Sequence, residues 1–204
     1  GVVSIHTMRA DALAAHAVRD RDGPGNPIPI PNPNRNRNRN RNPNPNSNPD
    51  PDPNQVLVLD KSGSMWSYHS QLKEFARSLV RQFVLSETST AIGLVEFSSD
   101  ARVLSIGGIN GLSFDADALM EVIDAMDSPS GWTHISAGLE LGRNVMLGTE
   151  PNGTEPIGIE PNPRPNVRRR VMVLLTDGEQ NAQFGGTKKA IETAKSVAKE
   201  GDFI

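Results

Sequence analysis

The stretch Val56-Leu57-Val58-Leu59-Asp60-Lys61-Ser62-Gly63-Ser64-Met65 decides how the chain is read. Four apolar residues run without a polar break and stop at a carboxylate. Such a run predicts a strand buried on both faces of a parallel sheet. Asp60 then stands at the strand's carboxyl end, where open α/β sheets bind their ligands. Ser62 and Ser64 follow at alternate positions, and Gly63 lets the backbone turn tightly enough to aim both hydroxyls at one point. Carboxylate and hydroxyl oxygens without sulfur or imidazole form a donor set for Mg²⁺, Mn²⁺ or Ca²⁺. The same side chains also suit the cap of a following helix. On this stretch alone the two readings stand level.

Working outward, residues 171–175 form a second fully apolar run that also ends in a carboxylate, within Thr176-Asp177-Gly178. Between the two runs, Leu72, Phe75, Ala76, Leu79, Val80 and Phe83 recur at helical spacing. Residues 91–97 read as a strand. Ser98-Ser99-Asp100 is a turn, and 102–106 a third strand antiparallel to that one. Leu119, Val122, Ile123 and Met126 mark a helix opened by Asp115 or Asp117. Ile135, Leu139, Val145 and Met146 mark the next, and Ile191, Ala194, Val197 and Ala198 the last, which Gly201 is placed to end. This alternation predicts an α/β fold with a mostly parallel sheet. If the two strands ending in aspartate are neighbours where strand order reverses, Asp60 and Asp177 face one crevice.

The chain has 204 residues, 36% hydrophobic and only 4% aromatic, which is low for a chain packed throughout in one core. The deficit lies at the front. Residues 1–26 read as a weakly helical N-terminal segment, alanine-rich over a thin apolar stripe. Residues 27–54 alternate Pro or Arg with Asn, which bars a helix and offers nothing to bury, so they read as an extended or disordered linker. The domain proper is 55–204, with a Pro/Asn/Gly-rich surface insertion at 148–166. Gly1 in place of Met, and a strand-like Asp202-Phe203-Ile204, give the expectation of a fragment at both ends. The absence of cysteine excludes disulfides and thiolate metal sites. A net charge of −3 gives no argument for nucleic acid or an anionic membrane. No apolar run approaches the ~20 residues of a membrane span.

Asp60-Lys61-Ser62-Gly63-Ser64 resembles the DxSxS signature of von Willebrand factor type A domains, which opens their metal-ion-dependent adhesion site (MIDAS). Gly131-Trp132-Thr133, followed by Ala137-Gly138-Leu139, resembles the family's threonine element. Leu174-Leu175-Thr176-Asp177-Gly178 resembles its aspartate element, and Gly93-Leu94-Val95-Glu96-Phe97-Ser98 its second strand. The resemblance implies a doubly wound sheet ordered 3-2-1-4-5-6, truncated here at strand five, with helices on both faces. Strand four or a stub of five is then expected as an open edge. It also implies that Ser62, Ser64 and Thr133 hold a divalent cation, Mg²⁺ or else Mn²⁺ or Ca²⁺, directly or nearly so. Asp60 and Asp177 would often act through water. One coordination position is left for the Asp or Glu of a protein partner. The implied function is an adhesion-type binding module, extracellular or at the cell surface. An assembly module of an intracellular complex is the alternative.

Trp66, Tyr68 and Trp132 flank these loops. They read first as local core beneath them. The other reading is an aromatic rim that touches the ligand, with Trp132 standing where a small residue is expected and His134 beside it. A metal-dependent hydrolase would need a base at the metal, and only Glu179, His69 and His134 are on offer. No Ser/His/Asp order or nucleophile elbow accompanies them, so the chain is read as non-enzymatic. Asn152-Gly153-Thr154 is a glycosylation sequon in the insertion. Arg168-Arg169-Arg170 reads as a solvated strand start.

Overall fold

The two apolar runs that end in aspartate are neighbouring parallel strands. The computed structural model describes residues 3–7 (backbone alone), 54–149 and 170–200. The expectations for 8–53, for the insertion from 150 to 166 with its sequon, for Arg168 and Arg169, and for 201–204 lie outside the described residues. The strands are β1 Val3–Thr7, β2 Asn54–Asp60, β3 Ile92–Phe97, β4 Ala101–Val103 and β5 Arg170–Thr176. The helices are α1 His69–Gln82, α2 Ala116–Asp124, α3 Ile135–Leu147 and α4 Gly186–Glu200. The sheet runs β1-β5-β2-β3-β4. β4 alone is antiparallel to its neighbour. The segment β4-β3-β2-β5 is the expected order 3-2-1-4.

The N-terminus departs from expectation. Residues 3–7 form a strand, not part of a weakly helical segment, and β1 pairs with β5 from Val3↔Met172 to Thr7↔Thr176. The position expected to be an open edge, or a stub of strand five, is therefore covered by the front of the chain. The physical reason is visible afterwards: Val2-Val3-Ser4-Ile5-His6-Thr7 is rich in β-branched residues, and an unpaired β5 edge offers it a complete ladder.

Alternation along the strands builds two cores. Leu57 and Leu59, Ile92 and Leu94, and Val173 and Leu175 pack under α1 and α2. Val56 and Val58, Val95 and Phe97, and Met172 and Leu174 pack under α3 and α4. Both faces being covered explains why β2 is apolar without a break. α1 presents Leu72, Ala76 and Val80 at four-residue steps. α2 is capped by Asp115, whose carboxylate accepts from Ala118 N at 3.0 Å.

α3 lies close to the sheet because it carries glycine where it crosses β2 and β3. A Cβ on Gly138 would stand 2.8 Å from Phe97 Cδ1 and 2.9 Å from Val58 Cγ1. Both neighbours are fully buried and have no room to withdraw. Gly138→Val is therefore expected to lower the free energy of urea unfolding by about 1–3 kcal/mol, the usual cost of overpacking a core. An unchanged denaturation midpoint would show that α3 is not seated this tightly.

Candidate functional site

Three chain segments meet above the carboxyl ends of β2 and β5. The first is the loop after β2, where Asp60 is wholly buried. Its Oδ1 accepts from Ser62 N at 2.7 Å, and its Oδ2 accepts from the Thr176 hydroxyl at 2.6 Å. The Thr176 bond crosses directly to the next strand, since Leu59 and Leu175 are paired one residue below. Burial pushes the Asp60 carboxyl above its ordinary range, against the pull of hydrogen bonds from Thr176 and Ser62 and with a smaller push from Asp177.

The hydroxyls continue this arrangement outward. Ser62 Oγ lies 3.1 Å from Ser64 Oγ, and Ser64 Oγ donates to Asp177 Oδ1 at 2.9 Å. Each hydroxyl has one proton, so Ser62 donates to Ser64 and Ser64 to Asp177. Both serines keep lone pairs for a further ligand. Ser62 is buried, Asp177 half-buried and Ser64 exposed, so these groups run from a closed floor to an open mouth, and Thr133 is buried in the neighbouring loop.

Backbone bonds lock the second segment, the loop before α3, to the first. Ser130 N donates to Lys61 O at 2.8 Å, and Gly63 N to Gly131 O at 3.0 Å. Gly131 has φ +82°, and a Cβ there would stand 2.8 Å from Ser99 Oγ. Gly63 is not the flexible turn expected of it. It opens a short 3₁₀ helix, Gly63–Ser67, and its φ is not positive.

Asn181 clamps the third segment to the second from both sides. Its Oδ1 accepts from Thr133 N at 2.6 Å, and its own N–H donates to Thr133 O at 3.0 Å. Gln180 is buried, accepts from Ser136 N at 2.7 Å and donates to Phe184 O at 2.7 Å. A fourth contributor is Glu96 on β3, 2% exposed. Its Oε1 meets Lys61 Nζ at 3.4 Å and Arg102 Nε at 2.6 Å. It pairs with both the lysine between Asp60 and Ser62 and the arginine of β4.

The sequence reading missed Thr176, Gln180, Asn181 and Glu96 as site residues. Thr176 stood inside a quoted motif without a role. The amide pair at 180–181 directly follows Asp177-Gly178-Glu179, and amide side chains in such a loop suit orphan backbone groups.

The aromatic residues divide. Trp66 is 69% exposed and Trp132 57% exposed, so neither packs as core beneath the loops. Tyr68 does pack, half-buried, against the α1 side of the core. His134 stacks on Phe184 with ring centroids 3.9 Å apart, and its Nδ1 lies 3.2 Å from Ser99 O. His69 is the first residue of α1, and desolvation lowers its pKa.

A divalent cation fits these donors by chemistry. The set is all oxygen, with two carboxylates and three hydroxyls, suited to a hard ion. Among the described residues no three His, Cys, Asp or Glu side chains cluster as a metal site. Any cation here must therefore lean on hydroxyls. The buried Asp60 carboxylate is also a charge that a cation would stabilise.

Comparison with known proteins agrees with the fold. The family model described as von Willebrand factor type A domain matches residues 54–201. No curated protein sequence matches. Among solved structures, proximal thread matrix protein 1 from the mussel byssus, with a zinc-occupied MIDAS motif, is similar at TM-score 0.56 and 20% identity, over 74% of this chain and 36% of that one. BatB from Bacteroides thetaiotaomicron, described as a conserved hypothetical protein, is similar at TM-score 0.52 and 19% identity, over 73% of this chain and 62% of that one. The chain thus spans about a third of the mussel protein and under two thirds of the bacterial one. The family match, covering both strands that end at the candidate site and all three of its loops, shows that this chain belongs to the von Willebrand factor type A domain family.

Proposed function

We propose that this domain holds a divalent cation with Asp60, Ser62, Ser64, Thr133 and Asp177, and uses it to capture a carboxylate of a protein partner. The observation that carries the reading is the wholly buried Asp60 carboxylate, joined through hydroxyls to an exposed mouth. Two carboxylates only balance a divalent charge, so a third acidic ligand from outside is not repelled. The all-oxygen donors favour Mg²⁺ or Mn²⁺, with Ca²⁺ as the larger alternative. The similar mussel protein carries zinc in its motif, which makes Zn²⁺ a fourth ion to assay.

Trp66, Trp132 and His134 form the rim in this reading. The two tryptophans are exposed on loops that bear the donors, and such side chains are favoured anchors of protein contacts. Binding is preferred to catalysis because two of the three candidate bases are already engaged, and the third, His69, begins α1. His134 is stacked on Phe184, and Glu179 accepts from the Thr187 hydroxyl at 3.2 Å. An extracellular or cell-surface setting belongs to the same reading, supported by the likeness to a byssus thread protein. Among the described residues no helix is long and apolar enough to cross a membrane.

The Asp60 carboxyl gives a signed test. Its folded pKa is raised, so the folded chain holds more protons than the unfolded one between the two values. The cation-free domain therefore loses stability as pH rises through that window. It keeps the full deficit above the raised pKa. Asp60→Asn removes the deficit and still offers groups to Ser62 N and Thr176. In EDTA at pH 7 this variant is expected to melt at or above the wild type. With Mn²⁺ or Mg²⁺ at a hundred times its Kd, the wild type is expected to gain about 2.7 kcal/mol and the variant nothing. Identical melts with and without cation would sink the reading.

Protons and cation compete for the same carboxylate, so Mn²⁺ affinity is expected to weaken as pH falls toward the Asp60 pKa. Thr176→Val removes a donor that favours the charged form, and should move that fall to higher pH in titrations followed by calorimetry. A wild-type pH profile for the variant would show that Thr176 does not tune Asp60.

Asn181 touches no proposed donor oxygen, yet fixes the Thr133 backbone. Asn181→Ala is expected to weaken Mn²⁺ binding about 10–100-fold, as losses of supporting hydrogen bonds around metal sites do. Asn181→Asp keeps the acceptor for Thr133 N and should recover most of the affinity. Equal affinities in all three proteins would remove Asn181 from the site.

A further inference from the structure

A cleft of about 270 Å³ opens beside Asp177, between the end of β5 and helices α3 and α4. Its walls are aliphatic: Ile135 and Leu139 from α3, Leu174 from β5, and Ala190, Ile191 and Ala194 from α4. Ile135, Leu139, Leu174 and Ala190 are buried, and Ile191 stands 47% exposed on the α4 side. The lip is acidic. It carries Asp177, whose Oδ1 takes the Ser64 hydroxyl, and Glu179, held by Thr187.

We infer that this cleft is the specificity pocket of the carboxylate site, and that it takes a neutral aliphatic side chain of leucine, isoleucine or methionine size lying within two residues of the partner's acidic residue. The inference rests on the cation reading above. Three features commit it to this occupant. First, the cleft shares Thr176, Asp177 and Gly178 with the donor loops, so a chain anchored at the cation passes its mouth. Second, the volume lies below that of sites for drug-sized ligands and far below what a helix needs, so the occupant is one side chain. Third, six aliphatic walls reward apolar area, while the Glu179 carboxylate at the lip, which is not among the cation donors, repels a second acid. The partner motif is therefore one acidic residue beside one aliphatic residue, not an acidic run.

The test uses the full chain. A display library of nine-residue peptides with a fixed central Asp is selected on the immobilised protein in Mn²⁺, and in parallel in EDTA. The expected result is Mn²⁺-dependent enrichment of Leu, Ile or Met over Ser, tenfold or more, at one position within two residues of the Asp. Ala194→Phe fills the cleft and should abolish that preference while Mn²⁺ affinity stays. Ile191→Glu acts at a half-exposed position that folding tolerates. It should do the same if the phenylalanine variant fails to fold. Mn²⁺-dependent peptides without an apolar preference would overturn the inference and leave the carboxylate reading intact. A preference that survives both substitutions would place the apolar contact elsewhere and overturn it too. Mn²⁺ binding without any Mn²⁺-dependent peptide defeats carboxylate capture and the pocket together. No Mn²⁺ binding at all defeats the cation reading itself.

Discussion

One carboxylate constrains this domain more than any other group. Asp60 has no exposed surface, and a buried charge persists only where dipoles or an opposite charge compensate for lost water. Its nearest compensation comes from two strands at once: Ser62 N from its own loop and the Thr176 hydroxyl from β5. The Thr176 bond requires β2 and β5 to be parallel neighbours in register. The same register delivers Asp177 one residue later, within reach of Ser64. The loop before α3 is then fixed by Lys61 and Gly63 on one side and Asn181 on the other. The site is a consequence of how the sheet closes around a buried acid, and on the cation reading the ion would offset the cost of that burial.

The hydroxyls matter for what the site would do. A site with three or more carboxylates over-neutralises a divalent ion and has little attraction left for another anion. Here the described residues bring two acids to the mouth and floor, and the remaining donors are neutral. Lys61 adds a positive charge in the loop, but Glu96 holds it at 3.4 Å on the β3 side. Arg102 shares the same Glu96 oxygen and also reaches Asp127 at 3.1 Å, so that cluster balances itself. On the cation reading, the charge left for a partner is set at the donors alone.

Much of the fold was legible because burial on two faces leaves a mark that cannot be mistaken for loop. β2 and β5 are continuous apolar runs, and α1 repeats Leu72, Ala76 and Val80 at helical spacing. The candidate donors came from the run that ends at Asp60 and from the family resemblance, and the structure brings their three loops together. β1 was not legible: a five-residue strand far from its partner in sequence has no periodicity long enough to read, and its pairing depends on an edge seen only in three dimensions. Trp66 and Trp132 were misjudged because large apolar side chains read as core by default. Asn181 and Thr176 escaped for a different reason. Their roles exist only once three distant segments have met.

β1 brings the front of the chain to the candidate site's end of the sheet. β1 is parallel to β5, so Thr7 lies level with Thr176, at the same end of the sheet as Asp60 and Asp177. β2 begins at the opposite end, where Asn54 pairs with Arg170. Thr7 and Asn54, the described residues on either side of 8–53, thus stand at opposite ends of the sheet. Seven residues of strand span only about 23 Å, so the connection is far longer than that crossing requires. The strand it is attached to lies against β5, which supplies Thr176 and leads into Asp177.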